Sequence, residues 1–286
     1  ILHGRVMVRY GLRSVYFRCF FCTLACVDRH KPSSCGPFPS QADRDAATTA
    51  THYKEQDPYK AGTMDPRFYT DIFYNQSSAT GWTSNKAQIY YEIKNGVTTY
   101  AQLLDPSYLG ITRTGYYEKK RLGEASSKNT SNVKYSDPLM RLAELYLNYA
   151  EAANEAYGPN TPAPDATLTA VQAINVIRTR VAMINVRAVY TGSTDAFRPR
   201  VKNERNIELS WEGHYYHDIR RWMDAPNAYS STLVGMDIEK LAAGFRYTRR
   251  PLSGDRQITW KEAMYYLPFN TEDNFKMKKF VPNVVW

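Results

Sequence analysis

A chain of 286 residues with a formal net charge of +9 is long enough for one large domain or two small ones. It contains no uninterrupted apolar run near the roughly 18 residues needed to span a bilayer, so any membrane attachment has to come from an anchor or a partner. Its basic residues are spread along the chain, with Arg246/Arg249/Arg250 and Lys276/Lys278/Lys279 the local groupings. With no zinc-finger, recognition-helix or RNP pattern, they imply a solvated basic surface and no nucleic-acid site.

All four cysteines, Cys19, Cys22, Cys26 and Cys35, fall in the first 35 residues. Their spacing matches no standard zinc pattern. A lipoprotein signal ending at Cys26 is a second reading, but its apolar region is short and broken by Arg18. The third reading, carried forward, is that residues 1–45 are an atypical segment set apart from 46–286. The chain opens on Ile rather than Met, which fits a piece of a longer protein.

Residues 36–66, rich in Pro, Ser, Ala, Thr and Asp, read as loop. Arg67 to Tyr74 alternates as a strand would, followed by a polar loop, Asn75 to Lys86, carrying Trp82. Ala87–Lys94 and Val97–Leu104 flank Asn95-Gly96, a strong hairpin signal because both turn residues need positive φ. Thr112 to Leu122 is a third extended candidate, and 123–134 reads as exposed loop.

A helix is expected from Asp137, with Pro138 at its first position, to just before Gly158-Pro159. Its apolar stripe is Leu142, Leu145, Tyr149 and Ala153. A second begins after Asp165, with Leu168, Val171, Ile174, Ile177 and Val181 on one face. The pair has the size of one tetratricopeptide-like helical hairpin, which needs neighbours to bury its second face. A third helix is expected over roughly Phe197 to Met223. From Ala225 onward the chain reads as irregular, with a short helix near Asp237 to Ala243.

The densest chemistry lies in the third helix. Glu204, Glu208 and Glu212 recur at i, i+4, with Arg205, Arg220 and Arg221 available to answer them. Unpaired buried charge is very costly, so Glu204, Arg205, Glu208, Arg220 and Arg221 are expected to form a structural network. His214 and His217 beside Glu212 and Asp218 lack the His-Glu-x-x-His order of zinc hydrolases, and no metal is expected there. No nucleophile elbow, P-loop or dinucleotide fingerprint is present, so no catalytic residue and no cofactor is assigned. Exposed aromatics are the better lead. Flat rings stack on the apolar C–H faces of sugars while amides bond their hydroxyls, which singles out Trp82, with Tyr74 and Asn75 beside it. Tyr90, Tyr91, Tyr116 and Tyr117 are expected to pack within strands.

Several stretches together resemble the SusD/RagB family. Glu204-Arg205-x-x-Glu208-Leu209, Trp211-Glu212-Gly213-His214 and Asp218-Ile219-Arg220-Arg221-Trp222 follow its signature helix. Asp57-Pro58-Tyr59-Lys60 with Asp65-Pro66-Arg67-Phe68-Tyr69 and Ile72-Phe73-Tyr74-Asn75 is similar to its "PYK…DPRFY…ILYNG" segment. Thr114-Gly115-Tyr116-Tyr117 resembles its "TGYY" strand, and Arg141 to Ala152 its "RxAExYLNYAEA" helix. Tyr266 to Trp286 is similar to its closing motif.

The motifs run in the family's order from about residue 53 to 286 and correspond to its carboxy-terminal half, without the amino-terminal helical repeats. The resemblance implies a mainly α fold with short strands and long loops. It also implies a lipid-anchored nutrient-binding protein on the outer face of the Bacteroidota outer membrane. Such a protein captures oligosaccharide or peptide for a SusC-like TonB-dependent transporter and breaks no bond. A glycoside hydrolase and a helical-repeat protein-interaction scaffold are the competing readings.

Overall fold

The computed structural model describes residues 58–59, 64–79, 85–101, 103–105, 111–120, 138–230, 232–254, 258–266 and 276. The four cysteines, residues 1–45 and Trp82 lie outside the described residues. Six α-helices are present among those described: α1 Pro66–Asp71, α2 Leu142–Tyr157, α3 Ala170–Arg180, α4 Thr194–Glu208, α5 His214–Arg221 and α6 Ala225–Ser230. The strands are β1 Ile72–Phe73, β2 Tyr91–Lys94, β3 Val97–Tyr100, β4 Tyr117–Glu118, β5 Val234–Lys240 and β6 Phe245–Pro251. β1 pairs with β4, while β3-β2-β5-β6 form a four-stranded sheet.

The segment from Arg67 differs from the strand expected there. Pro66 occupies the first helical turn, where a missing N–H costs nothing, and the Asp65 carboxylate accepts from the Arg67 N–H at 2.9 Å. That cap converts Arg67–Asp71 into a helical turn, leaving two residues of strand. Asn95 and Gly96 have φ of 52° and 78° and join β2 to β3 as the hairpin rule requires, with Lys94 opposite Val97. The irregular tail expected after Ala225 instead holds β5 and β6. Met236 and Ile238 are buried while Asp237 and Glu239 lie on the other face, a two-residue period that the following Leu-Ala-Ala obscured. β5 pairs antiparallel with β6 but parallel with β2, placing Tyr91 opposite Glu239.

α2 ends at Gly158 (φ 86°), as expected, but begins at Leu142. Arg141 is its extended N-cap (φ −139°, ψ 158°), and Pro138 stands outside the helix. Leu147, Ala150, Ala153 and Asn154 face inward, while Leu142 and Leu145 are exposed; the real stripe is rotated from the expected one. Small alanines let α3 and α4 come close, and Leu147, Ile174, Ile177, Phe197 and Val201 close this core. α3 starts later than expected, at Ala170, because Thr169 and Gln172 form a reciprocal capping box.

The expected single third helix is two helices. α4 stops at Glu208, and Trp211 (φ 62°) and Gly213 (φ 84°) turn the chain before α5. Trp211 leaves the helical core and enters the sheet's core with Phe68, Ile72, Ile89 and Tyr116. The break therefore joins two cores that an unbroken helix would leave separate. A smaller cluster unites Ile219, Ala225 and Tyr265.

Gly115 marks the closest approach in the sheet region. It has φ 82°, and a Cβ there would sit 2.5 Å from the Met236 carbonyl oxygen; at Gly96 nothing lies within 4 Å. Gly96→Ala should cost about 1–2 kcal/mol from left-handed strain alone. Gly115→Ala should cost more, because backbone has to move, and chemical denaturation of the two variants should separate them in that order.

Candidate functional site

Glu204 and Glu208 are each 2% exposed, and their neutralisation organises the centre of the molecule. Arg67, itself buried, reaches Glu204 at 2.7 Å and Glu208 at 2.9 Å while its other guanidinium edge grips Asp65. Arg178 pairs with Glu204 at 2.8 Å and Arg180 with Glu208 at 2.7 Å, both from α3. Arg141 bonds Glu208 at 2.5 Å and Glu212 at 2.7 Å. The Glu208 main-chain carbonyl, at the open end of α4, accepts from Arg141 and from the Lys120 ammonium. Two cations thus cap one carbonyl that the helix leaves unsatisfied and that shares its partial negative charge.

The expected partners fall elsewhere. Arg205 binds Asp218 at 2.7 Å and the Asn148 amide oxygen. Arg221 binds Asp218 at 2.9 Å and Glu151, which also accepts from the Trp222 indole. Arg220 donates to the Met264 and Tyr216 carbonyls and lies 3.4 Å over the Tyr216 ring, with no carboxylate partner among the described residues. Arg67, Arg141, Arg178 and Arg180, distant in sequence from Glu208, do what the neighbouring arginines were expected to do. Arg67 and Arg141 are signalled only by their place inside the family-like motifs, and Arg178 and Arg180 lie outside those motifs.

Burial alone would raise these carboxyl groups, but the Arg141 hydrogen bond and the Arg67 charge hold Glu208 below its ordinary value. Arg141 and Lys120 do the same for Glu212, and Arg221 and Trp222 for Glu151. Burial pushes Asp71 the other way. Among the described residues no three His, Cys, Asp or Glu side chains are placed to hold a metal; His214 lies 3.7 Å from Glu144.

The second part of the site is the loop after β1. The Gln76 and Ala87 main chains bond at 2.7 Å, Ala87 and Ser77 at 2.9 Å, and the Ala79 N–H reaches the Asn85 carbonyl at 3.0 Å. Ser78 and Lys86 form an antiparallel bridge. The two ends of the segment containing Trp82 are thereby fastened together. Asn75 is 1% exposed, and its Oδ1 accepts from the Ile89 N–H at 3.1 Å, so this amide holds the base of the loop. Tyr74 is half-buried in an aromatic pile, 4.7 Å from Tyr59 and stacked on Phe68 at 5.2 Å. Burial, then Tyr69, pushes its hydroxyl up. Tyr116 is buried, and the Tyr117 hydroxyl donates to the Leu103 carbonyl.

This arrangement, with helices and a small sheet region tied together by buried arginine–glutamate pairs, is found on a sequence that the model of the SusD family (SusD_RagB) matches over residues 17–286. The chain belongs to the SusD/RagB family. It is 31% identical over 119 residues to SusD-like protein P25 of Formosa agariphila, covering 41% of this chain and 21% of that one. Its fold matches a SusD-like protein of Bacteroides fragilis NCTC 9343 with a TM-score of 0.64 and 20% identity, over 92% of this chain and 46% of that chain. It also matches a SusD-like carbohydrate binding protein of the same organism, with a TM-score of 0.50 and 24% identity, over 74% and 37% of the two chains. The chain spans less than half the length of these relatives.

Glu208→Ala should cost about 3–5 kcal/mol, since it removes a buried carboxylate shared by the buried Arg67 and the partly buried Arg141, and should lower the melting temperature markedly. The pH dependence follows from the lowered carboxyl groups. Their stabilisation is present above the ordinary glutamate value of 4.5 and is lost as pH falls through their lower folded values; Asp71 opposes this weakly in number. A melting temperature level near neutrality and falling below about pH 4.5, with a shallower fall in Glu208→Gln, is the expected profile.

Proposed function

We propose that this chain is the ligand-capturing part of an outer-membrane nutrient-binding protein. It takes up an oligosaccharide and passes it to a SusC-like TonB-dependent transporter without breaking a bond. Family membership over residues 17–286 carries this reading, and the likeness in fold to a SusD-like carbohydrate binding protein supports its ligand class. The acidic cluster argues in the same direction. Glu208 and Glu212 are held below their ordinary values by arginine and lysine, unlike the carboxylic acid that a two-carboxylate hydrolase keeps protonated near neutrality. Of the carboxyl groups beside them it is Asp71 that burial pushes up. The two glutamates are suited to holding the fold.

In this reading Trp82 is the ligand-stacking residue, presented by a segment whose ends are fastened at Ala79 and Asn85. Tyr74 lends its exposed part to the rim, and Asn75 serves from beneath by fixing the loop. α2 and α3 form a tetratricopeptide-like hairpin, and attachment to the outer face of the outer membrane is through a lipid anchor of the whole protein. Among the described residues no helix is long and apolar enough to cross a membrane, which accords with attachment by anchor or partner.

A central tryptophan in an interface is commonly worth about 2 kcal/mol or more, so Trp82→Ala should weaken oligosaccharide binding roughly 30-fold in calorimetric titration with the fold unchanged. Asn75→Ala should lower thermal stability before it lowers affinity. Release of reducing sugar by the purified protein, abolished by one carboxylate substitution, would replace binding with hydrolysis.

A further inference from the structure

The four-stranded sheet turns Met236, Ile238, Phe245 and Tyr247 toward the core, and its register fixes what stands on the opposite face. Tyr100, Tyr91, Glu239 and Arg246 form one row across β3, β2, β5 and β6. With neighbouring strands about 4.8 Å apart, the row is roughly 14 Å long, the scale of a short oligosaccharide. The tyrosines packed on the sheet's core are buried or partly buried, yet Tyr100 is 48% exposed and Ile93 nearby 51%. The Tyr91 and Tyr100 ring centroids lie 6.4 Å apart with planes at 54°, a shallow V that two successive, mutually rotated sugar rings could follow.

The polar groups around these rings are held in place. Glu239, only 14% exposed, is gripped by two nitrogens of Arg246, and Arg250 fixes Asp237 at 2.6 Å. Burial, followed by the charges of Glu239 and Asp237, pushes the Tyr91 hydroxyl up, so it stays protonated and can both donate and accept. Two carboxylates balanced by two guanidiniums leave the patch without net charge, which favours a neutral ligand over an anionic one. Strands hold such groups more precisely than loops.

We propose that this outward row is a second carbohydrate platform, separate from the Trp82 loop, that takes a neutral oligosaccharide. Tyr91 and Tyr100 stack beneath successive rings while Glu239 and Asp237 accept from their hydroxyls. The platform rests on the carbohydrate reading above but not on Trp82.

The test is native electrophoresis of the full chain through gels containing soluble starch, laminarin, xyloglucan or galactomannan, with heparin as the anionic probe. Tyr100→Ala should weaken retardation by at least one neutral polysaccharide about tenfold with an unchanged melting temperature, while Tyr100→Phe should stay near the parent. Should Tyr91→Ala disturb folding, the half-exposed Tyr100 still carries the test. Retardation by neutral polysaccharides that is sensitive to Trp82→Ala and indifferent to Tyr100→Ala would overturn the platform and leave the carbohydrate reading intact. Retardation by none of the neutral polysaccharides would overturn both, and retardation by heparin alone would overturn the neutral platform. Self-association abolished by Val97→Lys, with no effect of Tyr100→Ala on retardation, would assign the β3 edge to a second copy and overturn the platform.

Discussion

Everything in the centre of this molecule is arranged around the cost of burying Glu204 and Glu208. Two carboxylates one helical turn apart repel each other, and neither can be left in a dry interior without a partner. The partners come from three places: Arg67 at α1, Arg141 ahead of α2, and Arg178 and Arg180 on α3. Satisfying one local electrostatic demand thereby fixes the sheet region and two helices against α4. A buried pair adds little net stability over an apolar replacement, but removing one member is severe. The network ties three separate segments of the chain to α4.

The break between α4 and α5 follows from the same demand. Lys120 and Arg141 both occupy the last carbonyl of α4, that of Glu208, Trp211 swings into the sheet core, and Arg205 of α4 ties the restarted α5 back through Asp218. The motif that reads as one amphipathic helix is therefore a joint. Its Trp-Glu-Gly centre supplies an aromatic plug, a carboxylate for Arg141 and Lys120, and a glycine at positive φ.

Local signals were legible where local chemistry decides. Asn95-Gly96 made its hairpin, Gly158 ended α2, and the motif order identified the family. The failures have one cause, a distant partner overriding a nearby pattern. Arg141 is extended rather than helical while its side chain spans to Glu208 and Glu212. Asp65 caps a turn that alternation alone reads as strand. β5 gains its identity from pairing with β2 and β6, which no short window contains. Likewise, the i, i+4 rule pointed the glutamates toward Arg205 and Arg220, whereas the geometry gives Arg205 to Asp218 and Arg220 to carbonyls and rings. Of the loop candidates, the amide of Asn75 turned out to face inward; a buried asparagine bonding a main chain 14 residues away leaves no periodic trace.

The parallel pairing of β2 with β5 has a consequence for how the chain reaches this state. Tyr91 and Glu239 are neighbours although about 150 positions separate them, and the intervening chain contains α2 through α6. The sheet cannot be completed until that long excursion has been gathered up, and closing so large a loop is entropically expensive. Folding should proceed from the local helical contacts of α2, α3 and α4, which shorten the excursion, with the β2–β5 seam among the last contacts made. Substitutions along that seam should then quicken unfolding while leaving the refolding rate nearly untouched, whereas substitutions at Leu147 or Phe197 should slow refolding.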